Sequence, residues 1–125
     1  MRSDYLTTGP RVRAFQKKIV DYTGAKFAAV CNSGTSALHL AFLSVGLKKN
    51  DVVIMPGINF IASFNICKLI GAKIYLADVN SITGRMEPKN VLECMRKNKI
   101  RNLKVLITMH LGGRAENIDK FYNIK

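Results

Sequence analysis

The chain contains no tryptophan, three cysteines and only eight acidic side chains in 125 residues. Cys31, Cys67 and Cys94 are an odd set without Cys-x-x-Cys spacing, which excludes a disulfide framework and a thiolate zinc site. They read as buried free thiols in a reducing compartment. A long uninterrupted apolar run is also missing. Residues 52–72 come nearest, but Pro56, Gly57, Asn59, Ser63, Asn65 and Lys68 break the run. A membrane span rarely tolerates these together. Met1 to Arg13 carries charge and no apolar core, so no signal peptide is expected there. A cytoplasmic protein follows. There is no Gly-Lys-Ser/Thr of a Walker A loop and no three-glycine dinucleotide fingerprint. Nor is there an internal repeat, a low-complexity tract or a linker that would divide two domains.

The shortage of acids leaves 20 Lys and Arg against 8 Asp and Glu, a net charge of +12. Such a surplus raises nucleic acid, an acidic membrane or an anionic substrate as partners. Arg96, Lys97, Lys99, Arg101 and Lys104 form the densest cluster. Cations at a helix C-terminus explain part of it, and no aromatic-interleaved RNA-binding motif accompanies it. A basic nucleic-acid-binding protein stays as an alternative carried by charge alone.

Hydrophobic residues make up 48% of the chain, enough for a globular core in one domain or a piece of one. Val12, Phe15, Ile19 and Tyr22 recur at helical spacing, and Gly24 ends that helix. Phe27–Cys31 reads as a strand, followed by a turn and a helix from Ala37 to Val45, with Leu38, Ala41, Phe42 and Val45 on one face. Val52–Met55 is a continuous apolar run, as in strands buried on both faces. Further elements are a helix over 60–70, a strand over 73–77, a helix over 88–97 and a strand over 103–109. A last helix begins near Glu116. Strands joined by crossover helices predict an α/β fold, a mostly parallel sheet with helices on its faces. Ligands of such sheets sit outside the carboxyl ends of the strands. The loops expected there start at Asn32, Pro56, Asp78 and His110.

Asn32-Ser33-Gly34-Thr35-Ser36 is the most informative of these loops. Gly34 permits a sharp turn and close approach of a ligand. Thr35 and Ser36 stand at the helix start, where free N–H groups and hydroxyls favour phosphate. An ordinary N-cap would use the same residue types. In Pro56–Asn65, Phe60 and Phe64 are core or, at a strand end, a platform for a flat ring. Asn59, Ser63 and Asn65 need partners wherever they are buried. His39 and His110 read as structural histidines.

These stretches carry a family resemblance. The chain resembles the pyridoxal-phosphate-dependent sugar aminotransferases of the DegT/DnrJ/StrS type. The resemblance rests on Leu6–Pro10, Asn32–Leu40, Pro56–Asn65, Asp78–Gly84 and His110–Gly113 in order, nearly the whole chain. It implies the N-terminal part of a fold-type I large domain over residues 1–125. It implies that Gly34, Thr35 and Ser36 hold the cofactor phosphate, that Phe60 stacks on the pyridine ring and that Asn65 supports the pocket. Thr7–Pro10 would lie toward the substrate. The complete enzyme would move an amino group, from glutamate, onto a nucleotide-linked keto-sugar for polysaccharide biosynthesis. It would act as a homodimer with its site at the interface. Three positions depart from the family: Asn59 for threonine, Gly112 for an aromatic and Ala115 for proline.

The resemblance also exposes a gap. The family's Schiff-base lysine and the acid beside the pyridine nitrogen come from beyond Lys125. No lysine here sits in the lysine motif, and none of Asp78, Glu87, Glu93, Glu116 and Asp119 sits in the acidic one. No catalytic residue and no metal ligand is therefore assigned. The chain is expected to be a fragment of such an enzyme. Other readings are half of a split enzyme completed by a C-terminal part, a relic, or a non-catalytic phosphate-binding α/β module.

Overall fold

A computed structural model of the chain describes residues 7–115 and 117–124. Leu6 and Glu116, which the sequence reading places in a loop and at a helix start, lie outside the described residues. The chain forms two compact units, Met1–Ala37 and Leu38–Lys125.

In the first unit, helix α1 spans Pro10–Thr23. Proline at its start has the right φ and lacks only an N–H the helix does not need. Gly24 (φ 72°) stops it, donating its N–H to the Val20 carbonyl at 2.9 Å. No residue of α1 is buried, and Tyr22 of the expected apolar stripe is 91% exposed. Phe27–Cys31 is not a strand among the described residues, and Phe27 is 89% exposed. Its composition suits a strand, but a strand needs a ladder partner and none pairs with it. Helix α2, Gly34–Ser44, opens at the end of this unit.

The second unit is a helix–sheet–helix sandwich. Strands β1 (Val52–Pro56), β2 (Lys73–Ala77) and β3 (Val105–Leu106) form a parallel sheet in the order β2-β1-β3. Val53 pairs with Ile74 on one side and Val105 on the other. Helix α3 (Ile61–Ile70) links β1 to β2, and α4 (Pro88–Lys97) links β2 to β3. The first crossover moves outward from β1 and the second returns past it. With crossovers of one hand, that reversal puts the two helices on opposite faces.

Side-chain alternation along β1 feeds both faces. Val53 and Met55 pack with Phe42, Leu47, Ile66 and Cys67. Ile54 packs with Ala77, Met86, Val91, Cys94 and Phe121, the last from the short helix α5 (Asp119–Tyr122). The expected strand over 103–109 has only two ladder residues, although Lys104 and Ile107 still bond to β1 at 2.9 Å each.

Three helices end the same way. Past α2, the Leu47 N–H donates to the Phe42 carbonyl at 3.0 Å around Gly46 (φ 67°). Ala72 bonds Cys67 around Gly71, and Ile100 bonds Met95 around Lys99 (φ 54°). This six-to-one bond also brings the residue after the turn onto the residue that accepts it. Leu47 therefore joins Phe42 in the core, where the sequence reading has Val45. Val45 is 52% exposed instead.

Candidate functional site

The expected site residues fall in different units: Gly34, Thr35 and Ser36 in the first, Phe60 and Asn65 in the second.

At the start of α2, Ser33 is the cap. Its Oγ accepts the Ser36 N–H at 3.1 Å. The Ser36 hydroxyl donates to Asn32 Oδ1 at 2.8 Å and lies 3.0 Å from Ser33 Oγ. The Ser33 carbonyl accepts the Ala37 N–H at 3.0 Å and the Cys31 thiol at 3.4 Å. A local capping role thus accounts for Ser33 and for the N–H of Ser36. It does not account for Thr35, which is exposed and makes no side-chain hydrogen bond among the described residues. The N–H groups of Gly34 and Thr35 have no acceptor within the helix, as first-turn donors never do. Gly34 has no positive φ, and a Cβ placed on it would meet nothing within 4 Å. Neither backbone strain nor crowding in the chain requires glycine here.

In the second unit, Phe60 is the N-cap residue of α3, in extended conformation (φ −69°, ψ 136°), with the residue 67% exposed. Asn65 lies on α3 and is also exposed. Asn59 donates from Nδ2 to Oγ of buried Ser63 at 3.4 Å, a long bond, so the polar residues of this stretch are partnered locally. No bond joins Asn65 to them.

The loops after all three strands converge. The Gly57 N–H donates to the Ala77 carbonyl at 2.9 Å. Gly84 (φ 68°) packs so closely that a Cβ there would lie 2.9 Å from Leu111 Cδ2 and 4.0 Å from Ile58 Cδ1. Asn80 organises the middle loop. Its Oδ1 accepts the N–H groups of Ile82 and Thr83 at 2.9 and 3.1 Å, and its Nδ2 donates to Glu87 Oε1 at 3.0 Å. Lys89 reaches the other Glu87 oxygen at 2.7 Å. The Lys89 contact, reinforced by Asn80, holds the Glu87 carboxyl below the usual carboxylate range. A cleft of about 460 Å³ beside this loop has Arg85, Glu87, Lys89 and Lys120 in its walls and none of the expected site residues.

Sequence reading missed the structural parts played by Ser33, Asn80 and Gly84. The asparagine-to-glycine spacing from Asn80 to Gly84 is the local signal for that turn. Among the described residues no group of three or more His, Cys, Asp and Glu could hold a metal, and no helix is long and apolar enough to cross a membrane.

A helix start with free N–H groups, a free hydroxyl and an unforced glycine has what phosphate-holding α/β folds use. The sequence model of the DegT/DnrJ/EryC1/StrS aminotransferase family matches residues 1–125. One relative, named UDP-4-amino-4,6-dideoxy-N-acetyl-beta-L-altrosamine transaminase, from Campylobacter jejuni, is 31% identical over 99% of this chain and 32% of its own. Another, named UDP-4-amino-4-deoxy-L-arabinose--oxoglutarate aminotransferase, from Shewanella sediminis, is 29% identical over 99% of this chain and 31% of its own. Among solved structures, Spr1654 from Streptococcus pneumoniae, described as a sugar aminotransferase in PMP form, superposes with a TM-score of 0.83. It is 24% identical, covering 98% of this chain and 30% of its own, a likeness of fold. The chain belongs to the DegT/DnrJ/EryC1/StrS aminotransferase family. It spans about a third of the length of the curated relatives it matches.

Proposed function

We propose that residues 1–125 are the N-terminal part of the large domain of a sugar-nucleotide aminotransferase, contributing the phosphate cup and ring platform for pyridoxal phosphate. The observation that carries this reading is the start of α2. There Gly34 leaves open space that none of the described residues fills, beside the exposed Thr35 hydroxyl. A phosphate dianion fits that chemistry: first-turn N–H groups, a hydroxyl and the positive end of a helix dipole. Phe60, exposed at a strand end, offers the face on which a pyridine ring stacks. Asn65 supports that ring's pocket. The bound cofactor would supply an electron sink for amino transfer. The lysine and the acid that work with it come from outside residues 1–125, either from the same longer chain or from a complementing part.

The names of the relatives support UDP-linked sugars as the substrate class, with an amino donor as the second substrate. Pairing of subunits, as a homodimer or with a complementing C-terminal part, would bury the apolar surface of α1, and a cytoplasmic setting suits the soluble substrates.

The test is fluorescence titration with pyridoxamine phosphate, which cannot bond covalently to lysine and so reads the cup and platform alone. Two or three charge-assisted hydrogen bonds at about 1.5 kcal/mol each total roughly 3–4.5 kcal/mol, a dissociation constant on the order of 1 mM for the isolated chain. Inorganic phosphate should compete. If neither pyridoxamine phosphate nor pyridoxal phosphate binds, alone or with the C-terminal part of a relative, the reading fails. If phosphate binds but the pyridine ring adds nothing, the chain is a phosphate-binding module instead.

A further inference from the structure

The cations of the second unit are unevenly placed. Six of them gather where the three strands begin, at the end of the sheet away from the loops just described. The Lys73 N–H donates to the Asp51 carbonyl at 2.8 Å, and the Lys104 N–H donates to the Val52 carbonyl at 2.9 Å. The two residues therefore flank the start of β1. Lys48 closes a turn onto Asp51, its N–H meeting Oδ2 at 2.8 Å. The Lys49 stem stands over Gly71, where a Cβ would lie 3.2 Å from Lys49 Cγ. Lys68 is in the last turn of α3, and Arg101 precedes Lys104 by three residues. All six are exposed, and none forms an ion pair among the described residues. Asp51 is the carboxylate that the strand starts contribute.

Helices α3 and α4 both end here, and their dipoles favour cations, but each helix end carries only about half a unit of negative charge. Six cations against that and one carboxylate leave a strong surplus. Neighbouring strands stand about 4.8 Å apart, so the strand-start charges fall within roughly one Debye length and act together.

We propose that this end of the sheet, where the strands begin, docks on an anionic lipid bilayer. Five of the six cations are lysines, which act as point charges without the bidentate fork that reads phosphodiester or base edges. No residue next to any of the six in sequence is aromatic, so none of their neighbours offers a ring to stack a base. Leu69, next to Lys68, is 76% exposed, and an apolar side chain amid lysines suits the headgroup boundary. The surface does not depend on the cofactor reading.

The experiment is vesicle flotation of the chain, which separates bound protein from aggregates. Phosphatidylcholine vesicles with and without phosphatidylglycerol serve as probes, at low and high salt. The chain should float only with the anionic vesicles and lose binding as salt rises. Each cation near such a surface contributes roughly fivefold in partitioning, so combining Lys49→Gln, Lys73→Gln and Lys104→Gln should weaken binding about a hundredfold. A control combining Lys89→Gln, Arg114→Gln and Lys120→Gln removes the same charge from the opposite end of this unit and should bind nearly as the parent does. Three results would overturn the proposal: equal loss in the control, equal flotation with neutral vesicles, or tighter binding to an RNA homopolymer than to anionic vesicles in the same salt. Circular dichroism of both triple variants establishes that any loss is not unfolding.

Discussion

Replacing Thr35 by alanine separates binding from folding at the start of α2. The Thr35 side chain is exposed and makes no hydrogen bond among the described residues, so its removal breaks no contact seen there. Alanine is the better helix former by up to about 0.7 kcal/mol. Stability should therefore stay level or rise by a few tenths of a kcal/mol in urea unfolding. Affinity for pyridoxamine phosphate should behave oppositely. A hydrogen bond from a hydroxyl to a charged phosphate contributes about 1.5–3 kcal/mol, so the dissociation constant should rise roughly tenfold to a hundredfold. Ser33→Ala is the converse. It removes the acceptor 3.1 Å from the Ser36 N–H and should cost about 1 kcal/mol of stability. Unfolding and titration on the same two variants complete the comparison. An unchanged affinity in Thr35→Ala would refute the hydroxyl's assignment to phosphate, and a loss of stability there would show that it serves the fold.

Gly84→Ala should lower stability by about 1–2 kcal/mol, from its left-handed backbone and the Leu111 methyl in its way. Leu111→Ala in that background should relieve only the steric part, which a double-mutant cycle in urea measures. Lys99 occupies a left-handed position where the equivalent turns carry glycine, so Lys99→Gly should stabilise the chain by about 1 kcal/mol in the same assay. The Glu87 carboxyl has a lowered pKa in the folded chain, so its stabilisation is complete above the ordinary carboxylate range. That contribution is lost as pH falls through the lowered value, and acid titration of Glu87→Gln should lack this component. Burial raises the Cys67 and Cys94 thiols, so a neutral-pH thiol reagent should modify half-buried Cys31 first and the other two only on unfolding.

Helices and their ends were legible in the sequence because their signals are local. Gly24, Gly71 and Pro88 mark boundaries within the residues that form them, whereas Pro10, read as loop, opens α1. The buried run Val52–Met55 was legible for the same reason, since a strand covered on both faces needs apolar residues at every position. The phosphate-type loop at Gly34 was readable as a pattern. Ambiguity between cap and ligand site came from chemistry common to both, and only the tertiary structure assigns the cap to Ser33, whose Oγ accepts the Ser36 N–H.

Strands are different, because a ladder is made between distant segments. Phe27–Cys31 has a strand's composition and no partner, and 103–109 keeps two paired residues of its seven-residue run. The tertiary structure also decided that Leu47, not Val45, fills the core beside Phe42, through the turn at Gly46. It decided that Ile58, Gly84 and Leu111 meet and that six scattered cations share the end of the sheet where its strands begin. The sequence by itself determined the local conformations and the residue types available for chemistry. Which of those residues become neighbours was settled by long-range pairing and packing, whose partners no local pattern names.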